Sequence, residues 1–347
     1  IVKHFSNIKN IELSVVIWSD SYYIKKICNG EYHIVDLDNL DKVCEIIQRI
    51  RPNYVIPGQG DILQRGLTDR LNESNIFCIG PEQIKAKIEG SKTFMRSIMN
   101  KISPSLNPLY KDFYKFDKNV VNFIYSFEND IVVKCDYVIS GTRVRIFKRE
   151  SELEDAIKNA KEWLKKYGHI VIEEFMYGEE IALTTYSDGK NFLHTPPTQN
   201  YKRVFDNNLG ENTSGMGSVT GNNCFDFLDN SILKKIKELN ERVFEELNKF
   251  SENNYIGSLY GEFIISKNGL KVIEYNCRLG NPCSLSIFSL MNISFVDLCE
   301  AIVNQKLNLY KNVFDKNLVS VCSYIVPSQY TINKEYIGTE INFNKLN

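Results

Sequence analysis

Ser258-Leu259-Tyr260-Gly261-Glu262-Phe263-Ile264-Ile265-Ser266-Lys267-Asn268-Gly269-Leu270-Lys271-Val272-Ile273-Glu274-Tyr275-Asn276 is the most informative stretch of this chain. Two apolar runs flank an Asn-Gly reversal, which reads as a β-hairpin. Glu274 and Asn276 are two residues apart on a strand, so their side chains share a face and present oxygens side by side. Hard cations take oxygen ligands. Whether Glu262 joins them depends on the turn. A two-residue turn at Asn268-Gly269 pairs Phe263 with Glu274 and sends Glu262 to the other face. A three-residue loop, Lys267-Asn268-Gly269 with Gly269 left-handed, pairs Glu262 with Glu274 instead. Two carboxylates directly opposite each other repel unless something positive sits with them, and in that register a divalent ion is the natural occupant. The competing reading is a solvated sheet face. Arg278, just beyond the hairpin, has the fork geometry to hold phosphate oxygens.

Working outward, Lys134 ends the apolar strand Ile131-Val132-Val133, where a charge must reach water or meet an anion. Lys92 follows Gly90-Ser91 at a helix start. Taken singly, such lysines more often face solvent. The run from Val171 to Glu180 passes from an apolar strand into a polar turn, a crossing that can offer amides to an adenine edge and a carboxylate to ribose. Val144 to Phe147 and Ile170 to Glu174 read as strands. Between them lies a helix with Leu153, Ala156, Ile157, Ala160, Trp163 and Leu164 on one face and a Ser151/Glu154 capping-box pair. Asp188 to Cys224, rich in Gly, Asn, Thr and Pro, reads as one long loop, and loops of that length are functional or disordered. An amphipathic helix follows, carrying Ile232, Leu233, Ile236, Leu239, Val243, Phe244 and Leu247.

The first eighty-odd residues have α/β order: strands at Leu13 to Ile17, Tyr54 to Ile56 and Ile76 to Ile79, and a helix from Leu40 to Ile50. A parallel sheet is expected. Pro57-Gly58-Gln59-Gly60 then falls where open α/β sheets place ligand loops. With 347 residues, 43% hydrophobic and 24% charged, the chain can bury two or three cores. Lys plus Arg (42) nearly cancels Asp plus Glu (43), so there is no basic field for a nucleic acid. No apolar run approaches the roughly 18 residues of a membrane span, and the first residues lack a signal peptide's layout, so a cytoplasmic location is expected. The nine cysteines are scattered, without a Cys-x-x-Cys pair, and read as reduced thiols. The four histidines, His4, His33, His169 and His194, form no visible triad.

Four runs carry a resemblance: Gly80-Pro81 through Ile88-Glu89-Gly90-Ser91-Lys92; Val171 to Glu180; Gln199-Asn200-Tyr201-Lys202-Arg203 leading to Asn212-Thr213-Ser214-Gly215-Met216-Gly217; and Val272 to Gly280. In this order they resemble the ATP-grasp superfamily and, within it, phosphoribosylamine-glycine ligase. The resemblance implies a multidomain α/β and α+β fold with three parts. These are an N-terminal parallel α/β domain (1–84), an ATP-grasp domain (85–305) with a mobile lid at about 104–177, and the incomplete start of a C-terminal β-rich domain (306–347). It further implies that ATP and Mg2+ (or Mn2+) bind between the lid sheet and the hairpin sheet. Lys92 and Lys134 would hold phosphates, Glu173 and Phe175 line the adenine pocket, and Glu180 take the ribose. Glu262, Glu274 and Asn276 would bind the metal, and Arg278 and Lys202 serve the reacting groups. The implied reaction phosphorylates glycine's carboxylate and lets the amine of 5-phosphoribosylamine attack the acyl phosphate. Alignment and charge neutralisation suffice for that chemistry, without a side-chain nucleophile.

Departures from the family pattern fall near the substrates. The family's opening strand and Gly-Gly-Arg-Glu-His loop are missing before Ile1, so the chain is expected to be a fragment or to have lost that site. The lid loop Cys135 to Arg143 has thinned glycines and no lysine, with Arg143 as a substitute charge. The family's Gly-Pro-Glu stands as Gly58-Gln59-Gly60, and its Gly-Asp-Pro-Glu as Gly280-Asn281-Pro282-Cys283. Three readings follow: a working glycine ligase, another ATP-grasp carboxylate-amine ligase, or a degenerate ATP-binding protein. Monomer and dimer both stay open.

Overall fold

The computed structural model describes residues 5, 8–136, 144–333 and 335–339. In the N-terminal part, β1 (Val15–Ile17) and β2 (Tyr32–Ile34) pair in parallel, as do β3 (Tyr54–Val55) and β4 (Phe77–Cys78). The helix between these pairs spans Leu40–Ile50 as expected. Its Val43, Cys44, Ile46 and Ile47 share a buried face, and the Asn39 side chain caps it by accepting from the Lys42 amide.

The next unit is an antiparallel sheet of β5 (Tyr110–Phe113), β6 (Ile131–Cys135), β7 (Val144–Phe147) and β8 (Ile170–Glu174), in the order β5-β8-β6-β7. Helices Lys118–Tyr125 and Leu153–Tyr167 close a core of its own, in which Val120, Ile124, Ile131, Val133, Ala160 and Trp163 are buried. The expected Ser151/Glu154 capping box does not form. The helix starts one residue later than that pairing needs, its N-cap is Glu152, and the Glu152 carboxylate accepts from the Lys148 amide instead. Within the loop Cys135 to Arg143, residues 137–143 lie outside the described residues, and with them the charge expected from Arg143.

The largest sheet contains β9 (Glu179–Asp188), β10 (Phe192–His194), β11 (Thr198–Phe205), β12 (Leu209–Gly221), β13 (Ile256–Ser266), β14 (Gly269–Asn276) and β15 (Val319–Ser323). Its order is β14-β13-β9-β11-β12-β15, with β10 beside β9. The long loop expected from Asp188 to Cys224 is therefore mostly strand. Its small polar residues pair through backbone ladders and hydroxyl contacts, Thr198 to Thr220 at 2.8 Å and Ser218 to Ser286 at 2.8 Å, so no apolar alternation marks it. Helix Asn230–Asn248 seats Ile236, Leu239, Val243, Phe244 and Leu247 in the core beneath this sheet. Toward the C-terminus, β15 extends the same sheet by pairing with β12. All nine cysteines are free, and among the described residues no helix is long and apolar enough to cross a membrane.

Candidate functional site

The hairpin settles its register by a route that neither turn alone provides. The turn is the two-residue Lys267-Asn268, closing Ser266 on Gly269, whose φ of 93° is left-handed. From there Phe263 pairs with Val272, but the next pair is Glu262 with Glu274. Ile273 is the extra residue of a β-bulge, and the bulge brings the two carboxylates opposite each other.

Lysines answer the repulsion this creates. Lys92 Nζ lies 2.7 Å from Glu274 Oε2, and Lys202 Nζ lies 2.6 Å from Glu262 Oε2 and 3.0 Å from Glu180 Oε2. Burial by itself would depress Lys92, but the charge of Glu274 outweighs it and the ammonium is held above its ordinary value. Lys202 is held well above its ordinary value in the same way, by Glu262 and Glu180 against burial. Burial pushes Glu274 up, while Lys92 and Lys202 pull it further down, leaving it well below the usual carboxylate range. Asn276 Nδ2 donates to Glu274 Oε1 at 3.3 Å, so these two oxygen-bearing groups do share a face.

The bulge has a partner that the sequence reading missed. Arg96 Nη1 donates to the Val272 carbonyl at 2.8 Å and Nη2 to the Ile273 carbonyl at 3.0 Å. The same guanidinium holds Glu173 by Nε at 2.8 Å and by Nη2 at 2.9 Å. Lys134 Nζ completes the set, 2.6 Å from Glu173 Oε2. Glu173, read from the sequence as lining the adenine pocket, is 1% exposed with both carboxylate oxygens engaged, and it ties β8 and Lys134 to the bulged hairpin. Burial raises it, the charges of Arg96 and Lys134 outweigh that, and it titrates at about 2. Lys134 is shifted below its ordinary value, by burial first and then by neighbouring Arg96 and Lys92 against Glu173.

Lys92 reaches the cleft because Ser91 caps helix Lys92–Ile102, accepting from the Phe94 amide at 3.0 Å. Asp136 braces that helix start, accepting from the Thr93 amide at 2.6 Å and from the Ser91 hydroxyl at 2.9 Å, where a helix end favours an anion. Arg96 lies one helical turn beyond Lys92, so the two cations share a face. On the far side of the hairpin, Arg278 Nε donates to Glu89 Oε1 at 3.1 Å and its Nη2 to Asn276 Oδ1 at 3.4 Å. Glu89 Oε2 also accepts from the Cys277 amide at 2.9 Å. Gly60 is needed here, since a Cβ would stand 2.2 Å from that oxygen.

Nine of the ten residues singled out from the sequence thus meet in one chain of contacts. Phe175 is the exception: two residues past Glu173, it packs edge-on to Tyr177 at 4.8 Å and donates its amide to the Asp130 carbonyl. Among the described residues no group of three or more His, Cys, Asp and Glu side chains is placed to hold a metal. The donor set that fits one is two carboxylates and an amide, all hard oxygen donors, each carboxylate already matched to a cation. A hollow of about 740 Å³ at Tyr125, Phe127, Arg149 and Glu154 lies apart from all of these residues.

Two antiparallel sheets meeting at lysines and carboxylates in this order define an ATP-grasp enzyme. A family model described as "Phosphoribosylglycinamide synthetase, ATP-grasp (A) domain" matches residues 90–284. The phosphoribosylamine-glycine ligase of Methanococcus vannielii is 32% identical over 320 residues, covering 89% of this chain and 71% of that protein. The ligase of Methanocorpusculum labreanum is 31% identical over 333 residues, covering 96% and 76%. The chain belongs to the phosphoribosylamine-glycine ligase family. Its fold matches the crystal structure of that ligase from Thermotoga maritima, with a TM-score of 0.72 at 24% identity over 92% of this chain and 76% of that one. It also matches the biotin carboxylase domain of the Hydrogenobacter thermophilus 2-oxoglutarate carboxylase, solved with MgADP, with a TM-score of 0.70 at 17% identity over 92% and 70%.

Proposed function

We propose that this chain joins glycine to 5-phosphoribosylamine at the expense of ATP, giving glycinamide ribonucleotide, ADP and phosphate. The observation that carries the reading is the bulge-set Glu262/Glu274 pair with Lys92 and Lys202 on its two carboxylates. In the first step a glycine carboxylate oxygen attacks the γ-phosphorus of ATP, and the bond to the bridging oxygen of ADP breaks. In the second, the amine nitrogen attacks the carbonyl carbon of the acyl phosphate, and inorganic phosphate leaves with its electron pair as the nitrogen loses a proton. Both steps develop negative charge on phosphate oxygens, so fixed cations lower both barriers.

Lys92 and Lys134 carry that role toward the nucleotide phosphates, with Glu173 and Arg96 holding Lys134 in place. Arg278, oriented by Glu89, and Lys202 stand toward the reacting carboxylate and acyl phosphate. Glu180 is the candidate for the ribose and Phe175 for the base. Glu262, Glu274 and Asn276 would hold Mg2+ or Mn2+, which supplies charge neutralisation of the phosphates when bound.

The test is nucleotide-dependent product formation. Purified protein given ATP, Mg2+, glycine and phosphoribosylamine should release ADP, and omitting either substrate should abolish the release. ADP release only with another amino acid or amine would move the assignment to a different carboxylate-amine ligase, a reading that the changed loops Gly58-Gln59-Gly60 and Asn281-Pro282-Cys283 favour. ATP binding with no turnover on any pair would leave a nucleotide-binding protein.

A further inference from the structure

Phe175 stands apart from the charged cleft, yet its place is closely fixed. Phe175-Met176-Tyr177-Gly178 is the crossing from β8 of the four-stranded sheet to β9 of the large sheet. At the far end Gly178 is pressed on β13, where a Cβ would collide with the Ile265 carbonyl oxygen. At the near end a single residue, Asp130, takes hold through backbone and side chain alike. Its carbonyl accepts from the Phe175 amide at 2.7 Å. Its carboxylate accepts from the Tyr177 hydroxyl at 2.5 Å, from Lys148 Nζ at 2.7 Å and from the Arg149 amide at 2.9 Å.

Asp130 is 7% exposed, so its charge is nearly out of water and persists there because donors surround it. Burial pushes the carboxyl up, while Lys148, Tyr177 and the Arg149 amide together bring it below its ordinary value. The Tyr177 phenol is held above its ordinary value, first of all by that same bond. Lys148, a surface lysine, already meets the charge of Asp130. The Tyr177 bond does something further, because with the Phe175 amide it closes the crossing on Asp130 from both sides. Tyr177 is 54% exposed and packs edge-on to Phe175, with ring centroids 4.8 Å apart and planes at 74°. Solvent could satisfy that phenol. Its bond to Asp130 instead orders the residues between the two sheets and, through the ring pair, the Phe175 side chain.

We propose that Asp130 and Tyr177 are positioning residues for the nucleotide base. The Asp130 carboxylate holds the Tyr177 hydroxyl, the Tyr177 ring holds Phe175, and the crossing is set before the nucleotide arrives. The inference rests on the reading of Phe175 as the residue for the base and deepens it. Asp130 immediately precedes β6, whereas Lys134, assigned to the phosphates, lies four residues along that strand. About 13 Å of strand therefore separates the clasp from that lysine, so hold on the base and hold on the phosphates can be separated by experiment.

Calorimetry with Mg2+ present compares ATP with inorganic tripolyphosphate, which lacks ribose and base. A clasp that pre-sets the crossing spares the nucleotide the cost of ordering it. Tyr177→Phe removes only the hydroxyl and should raise the ATP Kd about threefold to tenfold, the range of one hydrogen bond, with the tripolyphosphate Kd within about twofold of wild type. Asp130→Ala should weaken ATP as much or more. Adding Tyr177→Phe to Asp130→Ala should then change the ATP Kd by less than about twofold, since the hydroxyl has lost what it held. Unchanged tripolyphosphate binding also certifies the fold. An unchanged ATP Kd in Tyr177→Phe overturns the inference, as does a tripolyphosphate Kd that rises in step with it, or a double variant in which the two losses add. Phe175→Ala tests the base reading separately. If it leaves the ATP Kd unchanged, that reading of Phe175 fails on its own. A Tyr177→Phe loss confined to ATP then still supports the clasp, acting through the backbone of the crossing, and the lack of such a loss overturns it.

Discussion

Replacing Glu173 by Gln removes the charge that joins three elements, so it should be among the most damaging isosteric changes in the cleft. Glu173 binds Arg96 through both oxygens and Lys134 through one, at 2.6 to 2.9 Å, and is 1% exposed. A carboxyl carried from an ordinary 4.5 to about 2 gains about 3 kcal/mol of folding free energy, at about 1.36 kcal/mol for each tenfold. Breaking one partner out of a buried ionic set costs a similar amount, about 3 to 5 kcal/mol. At neutral pH, Glu173→Gln should therefore unfold at a lower urea midpoint, equivalent to about 3 kcal/mol. The pH dependence has a definite sign. The folded value lies below the unfolded one, so the unfolded chain binds the extra proton as pH falls. The stabilisation is complete above about 4.5 and lost on descending toward about 2. The gap between wild type and Glu173→Gln should stay constant from neutral pH to about 5 and narrow below 4.5. Urea titrations followed by tryptophan fluorescence at several pH values measure both quantities. A variant within about 0.5 kcal/mol of wild type at neutral pH would refute the argument, because that figure is the size of an ordinary surface substitution.

Four further outcomes follow from the same surroundings. Lys202→Met strips Glu262 and Glu180 of their shared cation and should lower kcat about 100-fold, the usual cost of losing one charge-stabilising group; steady-state ADP release measures it. Glu274→Gln should weaken Mn2+ binding, read by electron paramagnetic resonance titration, by about tenfold or more, while metal-free nucleotide binding holds or tightens because Lys92 loses its carboxylate partner. Gly60→Ala drives a methyl into Glu89, the partner of Arg278, and should cost about 1 to 3 kcal/mol together with lower turnover. Gly58→Ala meets nothing within 4 Å and should match wild type in both melting and ADP release.

Much of the scaffold was legible because it obeys simple periods. Helix Leu40–Ile50 and strands β7 and β8 fall where their apolar spacing places them. The strands β11 and β12 were invisible to the same reasoning, since glycine, serine and threonine hold them together through the backbone and leave no hydrophobic alternation. At the site, Glu274 and Asn276 announce themselves by spacing, whereas the position of Glu262 turned on a bulge at Ile273 that no residue type signals. Arg96 carried a usable signal, four residues after Lys92 on a capped helix, but its bonds to the Val272 and Ile273 carbonyls exist only because of the bulge.

The cleft is charge-balanced, and that balance bears on how a nucleotide would enter it. Five cations, Lys92, Arg96, Lys134, Lys202 and Arg278, stand against five carboxylates, Glu89, Glu173, Glu180, Glu262 and Glu274, each paired at 3.1 Å or less. On the proposed reading, the two sets do not serve the same end. Arg96 with Glu173, and Arg278 with Glu89, are buried or braced by backbone groups and stay paired. Lys92 with Glu274, and Lys202 with Glu262, are the pairs whose partners can be exchanged. The nucleotide phosphates attract Lys92, the reacting carboxylate and acyl phosphate attract Lys202, and a divalent ion attracts the two carboxylates, so arrival of all of them replaces two ion pairs by stronger contacts without exposing any charge. One ligand alone would leave ammonium or carboxylate groups unpaired in a poorly solvated cleft, at a cost that favours their joint entry. On that reading the two lysines keep a repulsive pair of carboxylates folded before ligands arrive, and then Lys92 turns to the nucleotide phosphates and Lys202 to the reacting groups.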